Sequence, residues 1–266
     1  MSLRLLLARV VPLVLMVLTG CGAAAIASGP TAGRNIPTAK AAAAPAPKVF
    51  VLKSKGVCDG CAEGVSKMLF AHGIASQILG TEDLKRHVGP RDLLVIGGSE
   101  PDIYGEWTVK QELMKAGAFQ WLKDHIRNGG RYVGICSGAY LTETWIDQRE
   151  GIKGLDIFPG KVDNYVLGKK TMYLKTRWAG QKTARWTYFQ DGPAFYPETG
   201  APIEILSRFE HDGTVAAAMF RYGTGKVGVI SPHPEADRSW GESEGLRDPD
   251  GLDYDLGVGV FRKVME

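Results

Sequence analysis

The segment RYVGICSGAYL, Arg131–Leu141, sets a cysteine between two glycines where an apolar run gives way to small residues. Arg131–Ile135 reads as a strand buried on both faces, and Ser137–Thr144 reads as the helix that follows it. In an open α/β sheet this junction lies at the C-terminal strand ends, where helix N-termini and loop amides converge. A thiolate there is favoured by the positive end of the helix dipole, and the thiolate is the form that attacks carbonyl carbon. Cys136 is therefore either a nucleophile or a small buried thiol packed like an apolar residue. The spacing G-x-C-x-G, Gly134–Gly138, matches the strand-to-helix elbow in which flanking glycines relieve crowding around an exposed nucleophile.

Upstream, strand and helix alternate. Val49–Lys53 reads as a first strand, the turn GVCDGC opens a helix to about His72, and Ile74–Leu79 reads as a second strand. DLLVI, Asp92–Ile96, is an almost wholly apolar run closed by Gly97-Gly98. Gln111–Arg127 carries Leu113, Met114, Phe119, Leu122 and Ile126 at helical spacing, and Asn128-Gly129-Gly130 ends it. The alternation predicts a doubly wound, mostly parallel α/β sheet. Downstream the character changes. Val162–Gln190 is rich in Tyr, Trp, Thr and Val and reads as antiparallel excursions, followed by strands at Ile203–Phe209, Thr214–Tyr222 and Val227–Ser231. Gly223–Lys226 is the hairpin turn between the last two, and Leu256–Met265 reads as a closing helix.

SPHPE, Ser231–Glu235, directly follows an apolar strand. In extended backbone, which Pro232 and Pro234 favour, His233 and Glu235 face the same side, so the carboxylate can hold the imidazole in one tautomer. A nucleophile, a base and an orienting acid are then all present. Trp178, Trp186, Tyr188 and Phe195 either line a cleft or pack in the core. Glu242–Asp255 is rich in acids, resembles a calcium loop only loosely and reads as a solvated loop. His72, His87, His125 and His211 show no partner pattern.

GICSGAYL and HPE together resemble the class I glutamine amidotransferase-like superfamily, and within it the biotin-protein ligase N-terminal domain family. DLLVIGG, FPGKVDNY (Phe158–Tyr165) and YFQDGPAF (Tyr188–Phe195) agree with that resemblance, which spans most of Val49–Ser239. It implies a flavodoxin-like sheet, Cys136 as nucleophile, His233 as general base and Glu235 as its orienting acid. It also implies an oxyanion hole from the Ser137 amide and an amide of Gly97 or Gly98. No segment matches the glutamine-holding residues of true amidotransferases, and no biotin-transfer region accompanies the domain. The expected activity is that of a stand-alone thiol hydrolase acting on an amide or acyl bond of a small molecule or peptide, without a cofactor. The alternative is a binding or scaffold domain that keeps the fold and the three residues without turnover.

Residues 1–21 place Arg4 and Arg9 before the apolar run Val10–Leu18 and then Thr19-Gly20-Cys21. That run is short for a bilayer core ~30 Å thick, and the pattern resembles bacterial lipoprotein precursors, which implies cleavage before Cys21 and acylation of its thiol. Residues 22–48, rich in Ala, Pro, Gly and Ser, read as a flexible linker, and 49–266 as the folded domain. The expectation is an exported protein, lipid-anchored to a bacterial membrane and facing the periplasm or cell exterior. In such a compartment Cys58 and Cys61 are candidates for a disulfide, with redox chemistry as the competing use. Metal binding is not expected, since no second ligand pair has suitable spacing. The formal charge of +3, from 32 basic and 29 acidic residues, is too small and too dispersed to announce a nucleic-acid partner.

Overall fold

The computed structural model describes residues 45–99, 105–168 and 171–266. The expected signal peptide, Cys21 and nearly all of the linker lie outside the described residues. In chain order the elements are β1 (Val49–Leu52), α1 (Cys61–Ala71), β2 (Ser76–Leu79), α2 (Leu84–His87), β3 (Leu93–Ile96), α3 (Gly105–Lys115), α4 (Phe119–Arg127), β4 (Arg131–Ile135) and α5 (Ser137–Tyr140). They continue with β5 (Trp145–Asp147), β6 (Ile152–Lys153), β7 (Gly160–Asn164), β8 (Thr171–Trp178), β9 (Arg185–Gln190) and β10 (Pro193–Pro197). β11 (Ile203–Phe209), β12 (Val215–Tyr222), β13 (Gly225–Ile230), α6 (Arg238–Ser243) and α7 (Tyr254–Met265) complete the fold.

One 11-stranded sheet runs β2-β1-β3-β4-β13-β12-β11-β8-β9, with β10 and β7 branching from β12. From β2 through β13 the neighbours are parallel, and beyond β13 every pairing is antiparallel. The parallel core and antiparallel second half are those the sequence predicts. The core splits by residue parity. Leu94 and Ile96 of β3 pack with Leu113 of α3 and with Leu122 and Ile126 of α4, while Leu93 and Val95 pack with Val65 of α1 and with Phe261 and Val264 of α7. Each such side chain contributes roughly 1.5–3 kcal/mol when removed from water, so a sheet covered on both faces needs the unbroken apolar run seen in β3 and in Tyr132–Ile135 of β4.

Two helices differ from expectation. The single helix over Gln111–Arg127 is broken into α3 and α4, because Gly117 adopts φ +61 and a left-handed residue ends the first helix. The helix expected over Ser137–Thr144 stops at Tyr140, and the chain then forms the small β5-β6 ribbon. The acidic stretch is also not a free loop. Arg185 of β9 gathers Asp250, Asp253 and Asp255 at 3.4, 3.0 and 3.6 Å.

Candidate active site

β4 ends abruptly at Cys136. Its N–H donates to the Ile230 carbonyl of neighbouring β13 at 2.8 Å, the last rung of the parallel pairing. The chain then turns with Cys136 at φ 50, ψ −109, a region that costs a non-glycine residue of order 1–3 kcal/mol and persists only where surroundings enforce it. The flanking glycines supply that enforcement. A Cβ on Gly138 would overlap the carbonyl oxygen of Ile96, and one on Gly134 would stand 2.7 Å from the Ala139 nitrogen. The elbow is closed by Ala139 and Tyr140 N–H groups donating to the Cys136 carbonyl at 2.9 and 3.1 Å, and by Tyr132 Oη donating to Gly138 O at 2.7 Å.

The second component arrives from β13. Past Ile230 the segment Ser231–Glu235 leaves the sheet, and the His233 N–H donates to the Tyr188 carbonyl of β9 at 2.7 Å. Glu235 is not brought beside His233 by extended alternation, as the sequence suggested. The Ala236 N–H donates to the His233 carbonyl at 3.1 Å, closing a turn with Pro234 at its second position, where a fixed φ suits the bend. The result is a hydrogen bond of 2.9 Å from His233 Nδ1 to Glu235 Oε1. His233 is 4% exposed and Glu235 fully buried.

With Nδ1 engaged, Nε2 is the ring nitrogen left for a second partner, and Cys136 lies near enough to act on the ring electrostatically. Burial pulls the imidazole toward its neutral form, but the Glu235 carboxylate and the Cys136 thiolate outweigh it and raise the ring to about 10. A cationic imidazole beside a thiol is the pairing that cysteine nucleophiles use. Cys136 Sγ also lies 3.6 Å from the Gln190 carbonyl oxygen.

Gly97 and Gly98, directly after β3, complete the enclosure. The Gly97 carbonyl accepts from the Gly138 N–H at 3.1 Å and from Ser137 Oγ at 3.2 Å. Gly98 lies against the imidazole: a Cβ there would be 2.8 Å from His233 Cε1. Cys136, Ser137, Gly97, Gly98, His233 and Glu235 thus converge, from the ends of β3, β4 and β13. Of the weighed aromatics, only Tyr188 adjoins the site, its ring 6.1 Å from that of His233. Trp178 is buried and donates to Thr176, Phe195 packs on Phe158, and Trp186 lies beneath Lys175. Sequence reading missed Trp240, whose ring is 5.3 Å from His233. It stands on α6, a six-residue helix too short to show periodicity. Cys58 and Cys61 are joined as a disulfide with α-carbons 5.4 Å apart. Among the described residues no cluster of His, Cys, Asp or Glu could hold a metal ion.

A doubly wound sheet with a cysteine elbow after one central strand and a histidine after its neighbour defines a class I glutamine amidotransferase-like domain. Solved structures share that fold: a glutamine amidotransferase with TM-score 0.55 and 18% identity, covering 70% of this chain and 90% of its own, and one from Thermotoga maritima with TM-score 0.50 and 14% identity, covering 84% and 100%. The imidazole glycerol phosphate synthase subunit HisH of Thermus thermophilus is 24% identical over 191 residues, 66% of this chain and 85% of that protein. Residues 92–250, more than half of the chain, match the family described as biotin-protein ligase, N terminal. The chain belongs to that family.

Proposed function

We propose that this protein is an exported, lipid-anchored hydrolase that cleaves an amide or related acyl bond through an acyl-enzyme at Cys136. The observation that carries this reading is the Cys136 elbow set against a buried His233 that is itself bonded to Glu235 at 2.9 Å. In the first half-reaction the Cys136 thiolate attacks the carbonyl carbon. The His233 imidazolium gives its proton to the departing amine, and the carbon–nitrogen bond breaks. In the second, the neutral imidazole takes a proton from water, whose oxygen attacks the thioester and returns the thiol. The Ser137 amide, first in α5 and so without an intrahelical acceptor, and an amide of Gly97 or Gly98 stabilise the oxyanion, a contribution on the order of 3 kcal/mol for one donor. Glu235 keeps the ring oriented throughout. The Cys21 anchor and the linker would tether this domain to the membrane.

The competing reading is a binding domain without turnover, and the 8% exposure of Cys136 is what favours it. Alkylation separates the two. Iodoacetamide should label Cys136 rapidly near neutral pH, with labelling absent in Cys136→Ala and slowed about tenfold or more in His233→Ala. An inert buried thiol would react sluggishly in wild type and His233→Ala alike, and that outcome would end the hydrolase reading.

A further inference from the structure

The pair in GVCDGC is not consumed by the chemistry above, yet its position is specific. The Cys58 N–H donates to the Gly98 carbonyl at 3.1 Å, and Val57 forms an antiparallel bridge with Ser99. The loop before α1 is thereby stitched along the glycine loop after β3. Cys61, fully buried, presses its sulfur onto the same residue: a Cβ on Gly98 would meet Cys61 Sγ at 3.3 Å and His233 Cε1 at 2.8 Å. One turn further along α1, Gly64 faces Glu235, and a Cβ there would be 3.6 Å from Glu235 Cγ. The first turn of α1 therefore touches the glycine loop and the acid that holds the imidazole. The bridge spans a sequence separation of 3, a loop so short that closing it restricts the unfolded chain little, which makes general stabilisation a poor reason for it.

We propose that the Cys58–Cys61 disulfide is a positioning element of the site, holding Gly98 against the His233 ring so that the reactivity of Cys136 follows the oxidation state of this bond. The inference rests on the reading of Cys136 and His233 given above. Its chemistry balances with a dithiol as reductant. One dithiol sulfur, as thiolate, attacks Cys58 Sγ, the part-exposed partner, and Cys61 leaves as a thiolate that takes up a proton. The second dithiol sulfur then closes on the first and releases Cys58, so the protein gains two electrons and the reductant becomes a disulfide. Reduction frees the Gly98 contact to relax and leaves an ionisable thiol against the same glycine that the imidazole meets. That second thiol competes with Cys136 for the same positive charge.

The test is the rate of iodoacetamide labelling of Cys136 in the full chain, read on the peptide that carries it. It compares oxidised protein, protein reduced with dithiothreitol and then desalted under argon, and a Cys58→Ser/Cys61→Ser variant. The expected result is labelling slowed about fivefold or more at neutral pH in the reduced and variant proteins, with the pH profile displaced toward alkaline values. Reduction of the folded wild type keeps the test available should the double variant fail to fold. Unchanged rates and pH profile, even with a lowered melting temperature, would make the bridge a plain brace and overturn the proposal. If His233→Ala still slows labelling in that case, the hydrolase reading stands without it. If His233→Ala has no effect either, both fall.

Discussion

The two ends of the parallel sheet each bury a histidine, and the surroundings shift the two rings in opposite directions. At the edge where β3 and β4 begin, His125 of α4 is 7% exposed, stacks on Trp121 with ring centroids 5.2 Å apart, and lies 3.1 Å from the Asp92 carbonyl through Nε2. Burial dominates there and lowers its affinity for a proton, the Asp92 carbonyl, the Asp92 charge and the Arg131 backbone opposing it only in part. At the edge where β4 and β13 end, His233 is buried as deeply, yet Glu235 and Cys136 raise it. Depth is common to both, and the partner differs. At His125 the carboxylate of Asp92 is engaged by the Lys48 and Gly89 amides and the ring meets only the carbonyl directly, which does not repay the desolvation of an imidazolium, whereas the directly bonded Glu235 carboxylate and the Cys136 thiolate do. One edge is therefore built to be inert and the other to hold charge, in keeping with the placement of function at C-terminal strand ends in open α/β sheets.

The largest effect expected from breaking this contrast comes from the backbone. Gly138→Ala would drive a methyl group into the Ile96 carbonyl, and neither group can swing aside, because both belong to backbone fixed by the elbow and by β3. The expected cost is about 3 kcal/mol or more, seen as loss of folded yield or a steep fall in melting temperature. Protein that does fold should have lost rapid labelling of Cys136. A variant that kept both would show that the elbow is not enforced as its contacts imply.

A smaller effect follows from making the surroundings of His233 resemble those of His125. Glu235→Gln replaces the charge that holds His233 with a neutral amide of nearly the same shape, in a position fully buried. The ring should then behave as His125 does. The expected outcome is a drop of about 100-fold or more in turnover of an acyl substrate, as when a triad acid loses its charge, together with slower alkylation of Cys136. Wild-type kinetics in Glu235→Gln would show that the carboxylate is an orienting group only in appearance.

How much of this could be read beforehand differs between the edges for a physical reason. The elbow announces itself because sterics act between neighbours in sequence: Gly134, Cys136 and Gly138 constrain one another within a single turn. HPE is legible for the same reason, although its geometry comes from a turn at Pro234 and not from extended chain. What escaped the sequence depends on contacts over long separations. Trp240 beside His233, Arg185 drawing in the acids of the last loop, and Cys61 against Gly98 are set by strand order. His125 carried no local signal at all, since its partner is a backbone carbonyl 33 residues away and any residue can supply one. The break at Gly117 shows the remaining limit, since apolar spacing carries across a left-handed residue that tertiary packing decides to use.

The subtlest way to sharpen the contrast is the pH dependence of stability, where the two rings should act with opposite sign. A ring raised in the folded state, such as His233, contributes stability that is whole below the ordinary value of 6.5 and is lost as pH rises through about 10. His125, lowered from 6.5, contributes stability that is whole above 6.5 and drains away as pH falls, because the unfolded chain takes up a proton that the folded chain refuses. Urea titrations of wild type and His125→Gln between pH 8 and 5 should therefore show the wild type losing ground to the variant on the acid side, by at most about 1.4 kcal/mol per pH unit. Labelling of Cys136 should stay within about twofold of wild type, since nothing at the inert edge touches the elbow. Parallel acid slopes would mean that His125 accepts its proton in the folded protein, and the two edges would then differ in position but not in the electrostatics that separates them here.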